Sequence, residues 1–81
     1  MRLDYTRSAL ETLKNLPLPV RKALYKQAGF LRENLYHPSL HAKKFSESED
    51  LWQARVNKDW RFYFKIENDT YIIVRIIPHQ K

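Results

Sequence analysis

The sequence predicts an α+β domain in which two helices pack on one face of a four-stranded sheet. Apolar residues recur with a helical period between residues 9 and 35, and they alternate with polar residues from residue 51 onward. At 81 residues the chain suffices for one domain, residues 1–81, near the lower size limit for a stable hydrophobic core. The predicted order is a short N-terminal strand, an antiparallel two-helix hairpin and a three-stranded antiparallel meander.

The first helix is predicted between "RLDYT", which can form an edge strand, and Pro17. Ser8 and Glu11 have the spacing of a capping box at the start of this helix. Its predicted apolar face contains Ala9, Leu10, Leu13 and Leu16.

The second helix is predicted to begin near Pro19, because proline is tolerated in a first turn, and to stop at His37-Pro38. Its predicted apolar stripe contains Val20, Leu24, Ala28, Leu31 and Leu35. The segment that follows, "PSLHAKKFSESED" at residues 38–50, has no clear period and is predicted to be a loop.

The alternation after Leu51 predicts strands with one buried face. We expect the core face to contain Trp52, Ala54, Val56, Phe62, Phe64, Ile72 and Val74. Three-residue hairpin loops at "NKDW" and "ENDT" would keep these faces matched. The resulting register pairs Val56 with Phe62, and Phe64 with Ile72.

The opposite face of the strands is predicted to be cationic. The same register pairs Arg55 with Tyr63 and Arg61 with Arg75, and Lys65 lies on this face too. Arginines opposed across strands repel, so a bound anion would explain them better than folding alone. A solvated face that keeps a small domain soluble is the alternative explanation. A cationic surface mixed with aromatic rings suits phosphate contacts and base stacking.

The charge balance favours an anionic partner. Fifteen Lys and Arg residues against nine Asp and Glu residues give a net charge of +6. A positive field of this kind attracts nucleic acid or an acidic protein segment.

Several functional classes are excluded by composition. Without cysteine the chain cannot be a disulfide scaffold. A zinc site would have to be built from carboxylates and the three histidines His37, His41 and His79, which lack helical or ribbon-type spacing. The first residues do not resemble a secretory signal, and the apolar runs are far shorter than a bilayer span. We therefore expect a soluble, cytoplasmic protein that uses no metal and no cofactor.

The element order, together with "LWQARVNKDWRFYF" and "RIIPHQK", resembles the RelE/ParE superfamily of bacterial toxins over essentially the whole chain. The most specific part is Leu-Trp…Arg-Val-Asn…Arg-Phe, in which Arg55 and Arg61 are six residues apart. The resemblance implies a RelE-like fold. It also implies the toxin of a type II toxin-antitoxin system, an endoribonuclease that cleaves mRNA, usually in the ribosomal A site, until a cognate antitoxin neutralises it.

The resemblance further implies metal-independent cleavage, in which the RNA 2′-hydroxyl attacks the adjacent phosphorus. Arg61 matches the arginine that such toxins hold against the scissile phosphate, and Arg55 matches a nearby strand arginine. His79 matches a C-terminal histidine that acts as the proton donor. Lys43 and Lys44 fall where ribonuclease members carry basic residues. The other predicted RNA-binding residues are Tyr63, Lys65 and Arg75.

Two other functions and one open assignment accompany this prediction. Some superfamily members inhibit DNA gyrase and generally lack the catalytic acid and base, whereas His79 and the lysine pair argue for cleavage. A non-enzymatic domain would use its basic face only to bind an acidic antitoxin segment. The general base is not assigned: the candidates are Glu47, Glu49 and His41.

Overall fold

The computed structural model describes residues 1–79, which form two helices and five strands. In chain order the elements are β1 (Arg2–Tyr5), α1 (Arg7–Lys14), α2 (Leu18–Glu33), a 3₁₀ turn (Pro38–Leu40), β2 (Lys43–Ser46), β3 (Leu51–Arg55), β4 (Trp60–Glu67) and β5 (Thr70–Pro78). The strands form one sheet in the order β1-β5-β4-β3-β2. β1 is parallel to β5, and the other neighbouring strands are antiparallel.

The predicted α+β class and element order are confirmed, but the sheet has five strands instead of four. The additional strand is β2, which lies in the segment predicted to be a loop and pairs with β3. Its register shifts between Lys44 and Ser46, which is typical of a β-bulge. A short edge strand interrupted by a bulge has no sustained alternation, so the sequence pattern did not reveal it.

Both helices differ from the prediction at their ends. Thr6 is the N-cap of α1, and its hydroxyl oxygen accepts a hydrogen bond from the Ala9 amide at 3.1 Å. The predicted capping box is therefore wrong, because Ser8 lies inside the helix. Leu10 does not belong to the apolar face, since 42% of it is exposed. α2 ends at Glu33, before the predicted stop. No helix within residues 1–79 is long and apolar enough to cross a membrane.

One hydrophobic core joins the two helices to a single face of the sheet, as predicted. The helices and the turn between them contribute Ala9, Leu13, Leu16, Val20, Leu24, Ala28 and Leu31. The strands and the β3–β4 turn contribute Ala54, Val56, Phe62, Phe64, Tyr71, Ile73 and Ile76. Leu40 of the 3₁₀ turn is also fully buried in this core. The helices thus cover one sheet face and leave the cationic face open.

The buried face of β5 is not the predicted one, because the β4–β5 loop has two residues and not three. Asn68 and Asp69 both have positive φ, 47° and 62°, as in the two-residue turns that match strand twist. An even loop reverses the faces of the following strand relative to an odd one. Phe64 consequently pairs with Ile73, and Tyr71 and Ile73 enter the core.

The predicted burial of Ile72 and Val74 is therefore wrong, and both side chains are only half-buried. A register shift in the β4–β5 pairing then returns the later residues of β5 to the predicted faces. The shift falls at Val74, so that Tyr63 pairs with Arg75. Beyond it, Arg75 lies on the open face, as predicted, and Ile76 is buried. The turn and the bulge together explain why only half of β5 follows the predicted alternation.

The β3–β4 hairpin has the predicted faces but a different register. Phe62 pairs with Ala54 and not with Val56. The main-chain N–H of Val56 instead donates to the Trp60 carbonyl at 3.0 Å, within the turn. The loop still contains an odd number of residues, so the buried and open faces are preserved. The cross-strand partner of each residue, however, moves by two positions.

On the open face this register brings two arginines directly opposite each other, but they are not the predicted pair. Arg55 lies opposite Arg61, and Tyr63 lies opposite Arg75. The predicted pairs Arg55–Tyr63 and Arg61–Arg75 are thus wrong. The like-charge pair is formed by two residues that were both predicted to be catalytic.

Candidate active site

A concave site of about 480 Å³ opens at the sheet end where β2 and β4 begin and β3 and β5 finish. We call it the cleft. Its lining residues are His41, Ala42, Lys43, Gln53, Ala54, Arg55, Arg61 and His79. The structure therefore brings together the three residues predicted to be catalytic and one of the lysines predicted to bind RNA.

The guanidinium of Arg61 is held in place by the chain before it. Its Nη1 donates to the carbonyl oxygen of Asn57 at 2.7 Å and to that of Trp60 at 2.9 Å. These bonds use the two N–H groups of Nη1, and a guanidinium carries three more. Across the strands, Nε of Arg55 is buried and has no hydrogen-bond partner within the described part of the chain. Arg61 thus keeps N–H groups that can bind a ligand, and the buried Nε of Arg55 is an unsatisfied donor at the same site.

The charges around the arginine pair are unbalanced. Burial and, next, the neighbouring Arg55 lower the pKa of Arg61, and Tyr63 and Asp59 act in the opposite direction with smaller effect. Among residues 1–79, no carboxylate lies within 4.0 Å of either guanidinium. The ion pair in this part of the chain joins Lys44 to Asp50, outside the cleft. An oxyanion between the two arginines would relieve their repulsion and accept bidentate hydrogen bonds.

His79 enters the cleft from the end of β5. Its main-chain N–H donates to the carbonyl oxygen of Asp59 at 2.7 Å, which ties the residue to the β3–β4 turn. The side chain itself is exposed. This bond extends the pairing of β4 and β5 past Trp60 and Pro78 and sets the imidazole beside the turn that holds Arg61.

His41 enters from the opposite side, immediately after the 3₁₀ turn. Its backbone is left-handed, with φ 48° and ψ 42°, a conformation that is uncommon outside glycine. The preceding Leu40 is fully buried and fixes this part of the chain to the core. Like His79, His41 has an exposed side chain. Within residues 1–79 no three histidine and carboxylate side chains are grouped as metal ligands.

A buried glutamine that the sequence analysis missed connects this segment to β3. The Gln27 Nε2 donates to the carbonyl oxygen of Ser39 at 3.0 Å and to that of Arg55 at 2.9 Å. The Ser39 hydroxyl donates in turn to Gln27 Oε1 at 3.2 Å. His37 supports the same turn, since its Nδ1 accepts from the Ser39 amide at 3.2 Å and its ring stacks on Phe30. The position of Gln27 within the apolar stripe of α2 was the available signal.

Other residues predicted to bind RNA lie outside the cleft. Lys44 pairs with Asp50 and sits 5.2 Å from the Trp52 ring centroid. Tyr63 is mostly buried, and its hydroxyl oxygen accepts a hydrogen bond from Gln53 Nε2 at 2.8 Å. Phe45, which is 55% exposed, contacts the Tyr63 ring in a T-shaped arrangement with a centroid distance of 4.9 Å. The exposed aromatic surface at this position therefore belongs to Phe45.

Lys65 and Arg75 line a second, separate concavity on the open face, together with Ser48, Glu49, Leu51 and Val74. Of the three candidate general bases, Glu49 lies there, and the side chain of Glu47 is exposed in the β2–β3 turn. Only His41 lines the cleft.

No protein-family model and no curated protein matches the sequence, whereas solved structures match its fold over nearly the whole chain. A YoeB/ParE toxin from Agrobacterium tumefaciens has a TM-score of 0.82 at 10% identity, covering 99% of this chain and 100% of that chain. A chain of the archaeal RelE-RelB complex from Pyrococcus horikoshii has a TM-score of 0.79 at 17% identity, covering 95% and 92%. A chain of the RelBE2 toxin-antitoxin complex from Mycobacterium tuberculosis has a TM-score of 0.77 at 24% identity, covering 96% of both chains.

At identities this low, the structural matches establish the fold alone. That fold agrees with the family resemblance seen in the strand residues. The chain therefore has the fold of the RelE, YoeB and ParE toxins.

Proposed function

We propose that this protein is the toxin of a bacterial type II toxin-antitoxin system and that it cleaves mRNA without a metal ion. One observation carries the proposal: Arg55 and Arg61 oppose each other without a carboxylate partner in a cleft that also contains His79. A structural role alone does not account for this arrangement, because opposed cations destabilise a sheet. A phosphodiester provides the negative charge that the pair lacks.

The proposed reaction is attack of the RNA 2′-hydroxyl on the adjacent phosphorus, followed by departure of the 5′-oxygen. Arg61, fixed by two carbonyl oxygens, and Arg55 would bind the non-bridging oxygens and stabilise the charge of the phosphorane. His79 would protonate the leaving 5′-oxygen, because an imidazole exchanges protons near neutral pH. Lys43 would hold a flanking phosphate at the cleft edge.

The proposed partners follow from the charge and from the fold. The net charge of +6 suits mRNA, with the ribosomal A site as the place of cleavage in the cytoplasm. The proposed inhibitor is a cognate antitoxin, since two of the similar structures are toxin-antitoxin complexes. An acidic segment of that antitoxin would compete with RNA for the cationic face.

Single-turnover cleavage of a model RNA, on ribosomes and off them, tests the proposal. Arg61→Ala should lower the cleavage rate by about 10²-fold or more, the usual cost of losing a charged transition-state donor. His79→Ala should lower it by about 10²- to 10⁴-fold, as for a positioned general acid. Arg7→Ala, which removes an exposed arginine on α1, is the matched control and should leave the rate unchanged.

The alternatives predict different results in the same experiment. A gyrase inhibitor would leave RNA intact and block DNA supercoiling. A binding domain would also leave RNA intact, would not block supercoiling and would still bind its antitoxin. Intact RNA in both formats, with folded protein, would rule out the proposed nuclease.

A further inference from the structure

We infer that His41 is the general base of the proposed cleavage, so that the cleft works with two histidines in opposite roles. The inference depends on the proposed function and assigns the one role that the sequence analysis left open. It starts from the composition of the cleft. Among residues 1–79, the charged and titratable groups that line it are His41, Lys43, Arg55, Arg61 and His79.

Elimination within this set favours His41. Lysine and arginine are protonated at neutral pH and cannot accept a proton from the 2′-hydroxyl. None of the described residues that line the cleft is a carboxylate. With His79 donating to the leaving oxygen, the remaining proton acceptor is the imidazole of His41.

The two imidazoles enter the cleft from different elements. His41 follows the 3₁₀ turn and precedes β2, whereas His79 follows β5 and is tied to the Asp59 carbonyl. In-line displacement needs a base at the attacking oxygen and an acid at the leaving oxygen, on opposite sides of the phosphorus. In the sheet, β3 and β4, which carry the arginine pair, lie between β2 and β5, so His41 and His79 approach the pair from opposite sides.

The backbone at His41 is a second, independent observation. A non-glycine residue in the left-handed region is strained by roughly 1–2 kcal/mol, and such residues persist where the surroundings impose them. Here buried Leu40 and the Gln27 bonds to Ser39 and Arg55 impose the conformation. The same bonds connect the segment that carries His41 to the strand that carries Arg55.

The proposed step balances in atoms and charge. His41 takes the proton of the 2′-hydroxyl as the O2′–P bond forms, and the P–O5′ bond breaks as His79 delivers its proton to the 5′-oxygen. The products are a 2′,3′-cyclic phosphate and a 5′-hydroxyl. His41 leaves the cycle protonated and His79 neutral, and exchange with water restores both.

The test compares the pH dependence of single-turnover cleavage for the parent, His41→Asn and His79→Asn between about pH 5 and 9. Asparagine suits the replacement at 41 because it tolerates the left-handed backbone and has no titratable group. The parent should give a bell-shaped profile. His41→Asn should cleave about 10²- to 10⁴-fold more slowly and lose the acidic limb. His79→Asn should lose the alkaline limb instead.

A substrate with sulfur in place of the 5′-bridging oxygen separates the two roles. A thiolate leaves without protonation, so this substrate should restore most of the rate of His79→Asn and none of the rate of His41→Asn. Glu49→Gln and Asp59→Asn are controls for rival carboxylates and should keep the parental profile.

Three outcomes would overturn this inference and leave the proposed function standing. His41→Asn could cleave within a few-fold of the parent rate, or it could cleave slowly but keep the acidic limb of the pH profile. The third outcome is loss of that limb in a carboxylate control. A His41→Gly protein, which relieves the backbone strain, distinguishes failed folding from lost chemistry and should be as slow as His41→Asn. If the folded parent cleaves no RNA, the proposed function fails and this inference with it.

Discussion

Replacing the opposed arginines one at a time and together measures the repulsion on which the proposed phosphate site depends. The four proteins are the parent, Arg55→Gln, Arg61→Gln and the double variant. Because the two positions are direct cross-strand partners, each single replacement should remove the repulsion and so favour the folded state. The second replacement, in the double variant, removes no further repulsion. The coupling energy isolates this pairwise effect from the loss of the Arg61 bonds to Asn57 and Trp60.

The size of the coupling can be bounded from Coulomb's law for two charges on paired strands. Two unit charges about 6 Å apart repel by about 0.7 kcal/mol in water and by about 3 kcal/mol at the effective dielectric constant of a protein surface. Arg55 and Arg61 are half-buried, and cross-strand charge pairs contribute roughly 0.2–1 kcal/mol. We therefore expect a destabilising coupling of about 0.5–1 kcal/mol, equivalent to about 2–8 °C in melting temperature for a domain of this size.

Urea unfolding of the four proteins in low and high salt is the assay. The coupling should largely disappear near 1 M salt, where screening acts over about 3 Å. Inorganic phosphate at about a hundred times its dissociation constant should stabilise the parent by about 2.7 kcal/mol and the double variant by much less. Chloride at equal ionic strength is the control. A coupling of zero or of stabilising sign in low salt would refute the view that the pair is maintained for an anion.

Three further predictions concern stability and binding. Gly29→Ala should raise the free energy of unfolding by roughly 0.5–1 kcal/mol in urea, because Gly29 is inside α2 and an added methyl group meets nothing within 4 Å. Gln27→Ala should lower that free energy by about 1–3 kcal/mol, since two part-buried carbonyl oxygens lose their donor, and Gln27→Glu should not restore it. Lys43→Ala should lower the salt dependence of RNA binding by roughly one unit of slope, whereas Lys44→Ala should lower it less, because Lys44 is already paired with Asp50. Equal slopes for both lysine variants in a fluorescence titration would contradict the last prediction.

The architecture could be predicted because it depends on long-range averages of the sequence. The helical stripe through Leu24 and Leu31 and the alternation through Phe62 and Phe64 are each repeated several times, so one misplaced residue does not change the result. The cationic face was predictable for the same reason. Arg55 and Arg61 lie on it whichever odd loop length joins β3 to β4.

Register could not be predicted, because single residues decide it. One residue fewer in the turn at Asn68 and Asp69 exchanges the faces of β5, and a bulge at Val74 exchanges them back. Both turn residues tolerate positive φ, which was a signal for a two-residue turn in "ENDT". Nothing local in the sequence marks the bulge.

The placement of the cleft residues depended on contacts between distant parts of the chain. His41 lines the cleft because the segment before β2 is held against β3. Buried Leu40 and the two hydrogen bonds that Gln27 donates to Ser39 and Arg55 hold it there. No period in residues 38–50 indicates this. The sequence could therefore name His41 as a candidate beside Glu47 and Glu49, and the fold separates them.

The most direct test of the account is the chemistry of the ends that the parent protein leaves on RNA. A model RNA should be presented on ribosomes and, in a separate reaction that contains a chelator, without them. Both reactions should give a 2′,3′-cyclic phosphate on the upstream fragment and a 5′-hydroxyl on the downstream one. A single 2′-deoxy substitution at the cleaved nucleotide should block cleavage there and leave binding in place, because it removes only the attacking hydroxyl. A 5′-phosphate with a 3′-hydroxyl, or cleavage that persists at the 2′-deoxy position, would contradict the proposal that the cleft of Arg55, Arg61, His41 and His79 cuts RNA through its own 2′-oxygen.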